Sequence, residues 1–301
     1  AGIIRHDRIY PGHVGGIMNR YHLTVPEHLH GSRLLPFLAR AYPPAPDLSL
    51  RRALKKRDIK VDGQRISDNR AVAAGQTIEW YTDWAPPVIP VVYRDDHLLI
   101  INKPGGISSD RQAGEQMTLL GLVSAQQGLS TPPRLVHRLD HQTSGLMVLA
   151  LTEQAEEALG QAFKQGLVQK IYTCLVGGSM PRQQDTLKAW LRKDARNARV
   201  QVLDSPAANA REIITAYRVL AAEGPCSRLE VILHTGRTHQ IRAHLAHTGH
   251  PLVGDDKYGD RALNKALGAS RLMLAATGLT LRAGGLLHEL NDRHFSIEAP
   301  F

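Results

Sequence analysis

The chain has 301 residues, of which 43% are hydrophobic, so it is long enough for two globular domains and its composition argues against wholesale disorder. Its formal net charge of +9 at pH 7 favours a polyanionic partner, nucleic acid first. No apolar run is long enough to span a bilayer, and the N-terminus lacks the apolar core of a secretory signal, which predicts a cytoplasmic protein. The two cysteines are far apart in sequence, so neither a disulfide framework nor a thiolate zinc site is expected.

The chain is predicted to begin with an extended arm followed by two short helices. Residues 1–27 show no clear periodicity and are assigned to the arm. After Ser32, which is suited to cap a helix, apolar residues recur at helical spacing as far as Ala41, and two prolines then end the helix. A second helix is predicted from its expected cap Ser49, with one apolar and one basic face.

Positive charge is concentrated in this region. Residues 51–70 contain eight basic and three acidic residues, a net charge of +5. The second helix is followed by two short strands, 59–61 and 64–66, joined by Asp62-Gly63, which is typical of tight hairpin turns. A basic helix beside a basic hairpin indicates contact with phosphates. The side chains expected to make it are Arg51, Arg52, Lys55, Lys56 and Lys60.

Four sequence segments in this region resemble a known RNA-binding module. They are Gly31–Leu38, the Arg-Arg-Ala-Leu-Lys-Lys stretch, Ile59–Gly63 and Ala74–Ile78, and they are similar to the small αL (S-four-like) module first described in a ribosomal small-subunit protein. The resemblance covers residues 28–82 and implies that they bind RNA. Residues 83–90 are rich in proline and predict a semi-rigid linker, so a second domain is expected at 91–301.

The second domain is predicted to be richer in strands than in helices. This pattern favours an α+β fold with a large, mostly antiparallel sheet flanked by helices and loops. Strands are predicted at 91–93, 98–101, 146–151, 167–176, 213–220 and 228–234, and helices at 115–126, 153–165 and 238–248, the last with Thr238 as its cap and Gly249 as its stop.

Asp140 is the centre of the most informative stretch of this domain. It lies six residues before a continuous apolar run, 146–151, and the residues between are turn formers. The sequence therefore places a carboxylate on a loop held by a rigid strand. Taken alone, such an aspartate is more often a solvated turn residue or a structural partner, here of Arg138.

Five histidines near the end of the domain raise the alternative of a metal site and a metal-dependent hydrolase. Along the predicted helix their spacings of five and three residues point the rings in diverging directions, and no glutamate lies between paired histidines. We therefore expect no metal. The histidines are His234, His239, His244, His247 and His250.

Four motifs, in the same order, are similar to those of the ribosomal and transfer RNA (RluA-like) pseudouridine synthase family. They are Asn102-Lys-Pro-Gly, His137-Arg-Leu-Asp-x-x-Thr-Ser-Gly, Lys170-Ile-Tyr and Gly236-Arg-Thr-His-Gln-Ile-Arg, with Gly249-His-Pro-Leu-Val-Gly-Asp and Tyr258-Gly following. The resemblance covers residues 90–301 and is greatest to the branch that modifies large-subunit ribosomal RNA. The chain departs from the family at Ser108–Asp110 and Leu274–Ala276, where a histidine is common.

The resemblance implies that the chain isomerises uridine to pseudouridine without a cofactor. Asp140 would be the nucleophile on a flipped-out nucleotide, Arg242 its ionic partner, and Tyr172 the ring that stacks on the uracil, acting as a general base only if its proton has an acceptor. Arg138 is similar to a family arginine thought to enter the space left by the base. The other implied RNA contacts are His137, Thr143, Arg237 and His239. Lys103 is expected to be part of the scaffold.

Two other functions remain open at this point. One is a non-catalytic RNA-binding or ribosome-assembly factor on the same scaffold, against which the intact Asp140, Tyr172 and Arg242 argue. The other is a pseudouridine synthase that acts on transfer RNA. We expect a monomer that binds RNA and no membrane. The sequence does not name the target uridine, nor whether Asp140 attacks the ribose or the base.

Overall fold

The computed structural model describes residues 6–9, 18–110, 117–194, 199–282 and 285–301. The chain divides into two compact units. The first comprises Ala1–Val88 with Asp110–Gly128, and the second comprises Ile89–Ser109 with Leu129–Phe301. Among the described segments, no helix combines the length and apolar composition that a membrane crossing needs.

The first unit contains a five-stranded antiparallel sheet with the strand order β1-β2-β5-β3-β4. Its strands are β1 (His6–Ile9), β2 (Met18–Thr24), β3 (Ile59–Val61), β4 (Gln64–Ile66) and β5 (Thr77–Thr82). Its helices are α1 (Leu34–Ala41), α2 (Asp47–Lys56) and α3 (Leu119–Gln127). The predicted hairpin is confirmed, and Asp62 and Gly63 both have the positive φ that its tight turn requires.

An aromatic cluster holds this unit together. Tyr21 on β2 lies against Tyr42, Trp80 and Trp84, with ring centroids 5.1, 5.1 and 5.6 Å away. Burying a ring of this size stabilises the folded protein by about 2–3 kcal/mol for each side chain. Part of the predicted arm, from Met18 to Thr24, is therefore a strand of this sheet. Its buried residues Tyr21 and Leu23 alternate with exposed neighbours, but the alternation is too short to predict a strand from the sequence.

The two predicted caps of α1 and α2 are wrong. The residue at the N-cap of α1 is Arg33, because the first helical N–H groups are satisfied from elsewhere in the fold: Leu35 N–H donates to Asn69 Oδ1 at 2.8 Å. Helix α2 begins one turn earlier than its predicted cap, after Pro46, and Ser49 lies in its first turn.

The second unit is built on an eleven-stranded sheet. Nine strands follow the order β12-β11-β13-β14-β10-β15-β9-β7-β6, while β16 pairs with β15 and β8 with β9. All pairs are antiparallel except β9 with β15. The strands are β6 (Val91–Arg94), β7 (Leu98–Lys103), β8 (Arg134–Leu135), β9 (Ser144–Ala150), β10 (Val168–Gly177), β11 (Gln184–Asp194), β12 (Arg199–Leu203), β13 (Ala210–Glu223), β14 (Cys226–Leu233), β15 (Leu274–Leu281) and β16 (Arg293–Ser296). The predicted α+β fold with a large, mostly antiparallel sheet is confirmed.

Among its described residues, this unit has three α-helices: α4 (Glu153–Lys164), α5 (Gln240–His247) and α6 (Arg261–Ala266). Helix α4 packs its apolar face on β7 and β9, and Thr152 caps it as predicted by accepting from Ala155 N–H. The predicted cap of α5 is wrong. Its N-cap is His239, which has the left-handed backbone conformation. The turn before the helix is closed by Gln240 Oε1, which accepts from Arg237 N–H, and not by the side chain of Thr238.

Candidate active site

Asp140 lies in the loop between β8 and β9, where its carbonyl oxygen accepts from Thr143 N–H at 3.1 Å. Its side chain is 21% exposed and lines a cavity of about 130 Å³. The cavity brings together seven of the site residues named from the sequence: Arg138, Asp140, Thr143, Tyr172, Arg237, His239 and Arg242. A carboxylate that is partly buried, yet open to a cavity, is placed to react with a bound molecule.

The buried ammonium of Lys103 anchors the loop of Asp140. Its Nζ donates to the carbonyl oxygens of Pro104, Ile107 and His141 at 2.9, 2.7 and 3.3 Å, and the residue is 0% exposed. Burial lowers the pKa of Lys103 to about 7, and the charge of Asp140 opposes that shift. These contacts agree with the scaffold role expected for Lys103.

Arg242, on α5, lies within ion-pair distance of Asp140. Its Nη1 lies 3.7 Å from Asp140 Oδ2, while its Nε and Nη2 donate to Asp255 at 2.7 and 2.8 Å, and Nη2 also donates to Asp256 at 3.1 Å. Burial opposes the charge of Arg242, but the hydrogen bonds and charge of Asp255 outweigh it and raise the pKa of the guanidinium. The expected contact between Arg242 and Asp140 is therefore present. The shortest bonds of Arg242, however, go to Asp255, to which the sequence assigned no role.

Tyr172, on β10, places its ring in the same cavity and is 5% exposed. Burial raises the pKa of its phenol, and the negative charge of Asp140 adds to that shift. The hydroxyl is therefore neutral at neutral pH. It can serve as a general base only after passing its proton to an acceptor, as the sequence led us to expect.

His239 approaches the same carboxylate oxygen as Arg242. Its Nε2 lies 4.0 Å from Asp140 Oδ2, and its Nδ1 is 2.9 Å from the hydroxyl of Tyr258. Burial lowers the pKa of His239, a shift that Asp140 opposes and Arg242 strengthens. At neutral pH the ring is thus uncharged and offers one N–H.

Comparison with known proteins identifies the chemistry. The sequence profile of the family described as RNA pseudouridylate synthase matches residues 97–247, which include the Asp140 loop, Tyr172 and Arg242. This chain belongs to the RNA pseudouridylate synthase family. Its reaction is the isomerisation of uridine to pseudouridine in RNA.

Among the relatives of this pseudouridylate synthase are two bacterial enzymes. Ribosomal large subunit pseudouridine synthase C of Vibrio parahaemolyticus is 30% identical over 92% of both chains. Ribosomal large subunit pseudouridine synthase D of Xylella fastidiosa is 34% identical, over 78% of this chain and 74% of its own. A solved structure, human RNA pseudouridylate synthase domain containing 1, matches with a TM-score of 0.61 and 26% identity over 72% of this chain and 87% of its own.

His137 is the predicted site residue of the catalytic unit that does not line the cavity. Its Nε2 accepts from Val148 N–H at 2.9 Å, and its ring stacks on Phe163 with centroids 4.5 Å apart. Burial, with a smaller contribution from Lys170, lowers the pKa of His137 to about 3. In this pseudouridylate synthase, His137 therefore holds the loop of Asp140 against β9.

The basic residues predicted to contact RNA lie in the other unit. Arg51, Arg52, Lys55 and Lys56 are exposed on α2, and Lys60, on β3, is half-buried beside Tyr81. No group of three or more potential metal ligands occurs within the part of the chain that the structure describes.

One departure from the family pattern has a clear structural result. Within Ser108–Asp110, where we expected the chain to depart from the family pattern, the buried Ser109 donates through Oγ to Leu139 O at 2.8 Å and accepts from Leu139 N–H at 3.0 Å. The hydroxyl thus fixes the backbone one residue before Asp140. The other departure, Leu274–Ala276, is buried on β15, and its two small residues, Ala275 and Ala276, pair with β9.

Proposed function

We propose that this enzyme converts specific uridines of large-subunit ribosomal RNA to pseudouridine, with Asp140 as the nucleophile. The observation that carries the proposal is the position of Asp140 in a cavity shared with Tyr172 and Arg242. The choice of RNA is supported by the relatives named as ribosomal large subunit pseudouridine synthases.

The reaction is an isomerisation within one nucleotide. The bond from ribose C1′ to N1 of the base breaks, a bond from C1′ to C5 forms, the hydrogen on C5 leaves as a proton, and N1 gains a proton. Asp140 supplies the carboxylate that attacks, on either the ribose or the base, and Arg242 provides a positive charge beside it. Tyr172 offers a ring against which the base lies, and Arg138 fills the space that the flipped nucleotide leaves.

We further propose that residues 28–82 act as an αL RNA-binding module. The exposed basic side chains of α2 support this, because sequence-independent contacts to phosphates supply much of the affinity of such modules. We propose that the enzyme acts in the cytoplasm, because the relatives named as ribosomal large subunit pseudouridine synthases are bacterial. It would act as a monomer, which sedimentation of the purified protein tests.

Mapping pseudouridine in total RNA from cells with and without this gene tests the substrate. We expect one or a few sites in large-subunit ribosomal RNA to lose their modification in the deletion strain. Loss confined to transfer RNA would contradict the ribosomal assignment. An unchanged pattern, with purified enzyme also inactive on ribosomal RNA, would favour a non-catalytic assembly factor.

The variant Asp140→Asn tests the nucleophile. It should abolish isomerisation of ribosomal RNA fragments while leaving RNA affinity within about threefold, because phosphate contacts carry most of the binding. Single-turnover assays and filter binding measure the two quantities. Retained activity in the variant would disprove the role of Asp140.

A further inference from the structure

The loop between α5 and α6 contributes a second set of groups to the site, which the sequence did not reveal. Asp255 and Tyr258 lie in this loop, and each contacts a residue that approaches Asp140. Glycines bracket the segment. A Cβ at Gly254 would overlap the carbonyl oxygen of Arg271, and one at Gly259 would overlap that of Asp255, so the backbone is closely packed at both ends.

Asp255 determines which edge of the Arg242 guanidinium faces Asp140. The side chain of Asp255 is fully buried, and it accepts from Nε–H and from Nη2–H. Asp256 accepts from Nη2 as well. A guanidinium has five N–H groups, so these bonds occupy three and leave the two on Nη1, the atom nearest Asp140.

The backbone holds Asp255 itself in place. Its Oδ1 accepts from Lys257 N–H at 2.8 Å and from Tyr258 N–H at 3.0 Å. Burial favours the neutral acid, but the hydrogen bonds and charge of Arg242 outweigh it and keep the pKa of Asp255 below its ordinary value. A charged, buried and fully bonded carboxylate is a rigid reference point for Arg242.

Tyr258 acts in the same way on His239. Its hydroxyl accepts from Val200 N–H at 2.9 Å and lies 2.9 Å from His239 Nδ1. If the hydroxyl donates its proton to Nδ1, the neutral imidazole carries its N–H on Nε2, which is the nitrogen that faces Asp140 Oδ2. The Tyr258 ring also lies under the Arg242 guanidinium, with 5.4 Å between the guanidinium carbon and the ring centroid.

We propose that Asp255 and Tyr258 are positioning residues of the isomerisation: Asp255 directs Arg242 Nη1, and Tyr258 directs His239 Nε2, towards the same oxygen of Asp140. The inference rests on the proposed role of Asp140. Neither Asp255 nor Tyr258 needs to touch RNA. Their effect is therefore on the rate of the chemical step and not on RNA binding.

The variant Asp255→Asn tests the first half of the proposal. Asparagine keeps an Oδ1 that can accept from Lys257 and Tyr258, but its amide N–H₂ would face a donor of Arg242. We expect the single-turnover rate on a ribosomal RNA fragment to fall by about 100-fold, because a catalytic group misplaced by about 1 Å can lower the rate by that factor. The Kd for RNA should stay within about threefold of the wild-type value. Asp204→Asn is the matched control, because Asp204 contacts His247 on the same helix, lies outside the site and has an 88% exposed side chain, and its rate should stay within about twofold.

A double-mutant cycle separates positioning from a general structural role. In the background of Arg242→Lys, which has lost the forked geometry, adding Asp255→Asn should change the remaining rate by less than about threefold. Likewise Tyr258→Phe should slow the wild type by about tenfold but have little further effect in His239→Gln. The proposal would be overturned if the rate loss of each double variant equalled the product of the losses of its two single variants. It would also be overturned by an Asp255→Asn enzyme with the wild-type rate.

Two further measurements keep the test decisive. If Asp255→Asn fails to fold, as judged by circular dichroism and thermal unfolding, Asp255→Glu retains the charge but moves the carboxylate by one methylene, and we expect about a tenfold lower rate. A wild-type rate in that variant would overturn the proposal. Asp140→Asn is assayed in parallel. Activity there would refute the nucleophile, whereas an inactive Asp140→Asn beside a fully active Asp255→Asn refutes the positioning role alone.

Discussion

Arg242 faces three aspartates, and the three contacts differ in what they do. Asp255 takes the shortest bonds in a fully buried setting, Asp256 adds an exposed contact, and Asp140 is approached at 3.7 Å from the remaining edge. Breaking a buried ion pair by removing one partner costs on the order of 3–5 kcal/mol. The guanidinium is thus held by Asp255 and is available to Asp140, so that the carboxylate of Asp140 keeps an ionic neighbour without being enclosed by it.

The buried imidazole of His137 predicts a specific pH dependence of stability. Its pKa is about 3 in the folded protein, against an ordinary value near 6.5. Between these values the unfolded chain holds a proton that the folded protein does not, so the free energy of unfolding falls as the pH is lowered through this window. The contribution is complete above pH 6.5. Its slope reaches at most about 1.4 kcal/mol per pH unit.

Urea unfolding of wild type and His137→Gln at a series of pH values between 4 and 7 measures that contribution. The Gln side chain can still accept from Val148 N–H but does not titrate, so the variant should show the shallower slope. His244, whose pKa burial lowers to about 4, contributes to both proteins and cancels in the difference. Equal slopes for wild type and His137→Gln would contradict the prediction.

Elements with local signals were predictable from the sequence, and those set by distant contacts were not. Thr152 caps α4 through the N–H three residues on, and Asp62-Gly63 forms the hairpin turn. The start of α1 instead depends on Asn69, which lies far from the helix in sequence. The start of α5 depends on Gln240, a local residue whose amide is oriented by bonds to Ile214 O and Thr215 Oγ1 on β13. Local sequence has no record of these distant partners, so the caps were misplaced.

The site shows the same division. The motifs named Asp140, Tyr172 and Arg242 because each motif carries its own chemistry, and the structure brings these three residues together in one cavity. Asp255 stood in a quoted motif, yet its pairing with Arg242 depends on how the loop after α5 folds back. His137 was assigned to RNA as part of the motif that carries Asp140, although the short segment before Asp140 turns His137 and Arg138 to different surroundings. Proximity in sequence therefore identified the loop but not the direction of each side chain.

Helix α2 is the element on which the RNA-binding proposal depends most directly. Leu50, Ala53 and Leu54 are buried, so substitutions on its exposed face should leave the fold intact. Reversing Arg51, Arg52 and Lys55 to glutamate should weaken RNA binding at least tenfold and lower the slope of log affinity against log salt by about two to three, if each contacts a phosphate.

Filter binding at several salt concentrations measures both quantities for the α2 variant. The matched control reverses three exposed charges of the other unit, Lys164, Arg261 and Lys265, and should produce a smaller loss. Equal losses in the two variants would indicate a general effect of net charge. No loss in the α2 variant would contradict the αL assignment.

At the scale of the whole molecule, the two units are not consecutive in the chain. Asp110–Gly128 belongs to the first unit, although the sequence suggested a single division at 83–90. Within that unit, Met117 N–H donates to Ala41 O at 3.1 Å, and α3 buries Leu119, Leu122 and Val123. The proline-rich linker marks only one of the places where the chain passes between units.

A truncated chain that begins at Ile89 should therefore be less stable than its length suggests. It retains α3 but lacks the residues of the first unit with which α3 clusters, so apolar side chains become exposed. We expect the truncated chain to be poorly soluble and to bind a hydrophobic dye. Its Tm should be lower than that of the same truncated chain with the substitutions Leu119→Ser and Leu122→Ser. A truncated chain that unfolds cooperatively with no dye binding would contradict this expectation. Thermal scans with and without the dye provide the measurement.

The parallel pairing of β9 with β15 has a consequence for the time at which the enzyme becomes active. Asp140 precedes β9 and Tyr172 lies on β10, but in the sheet these strands are separated by β15, which is synthesised roughly 100 residues after Tyr172. A ribosome that has translated every motif up to Arg242 has still not made the strand that joins the two halves of the cavity. Catalytic competence should therefore be a late event of synthesis, and a nascent chain that ends before β15 should not modify ribosomal RNA.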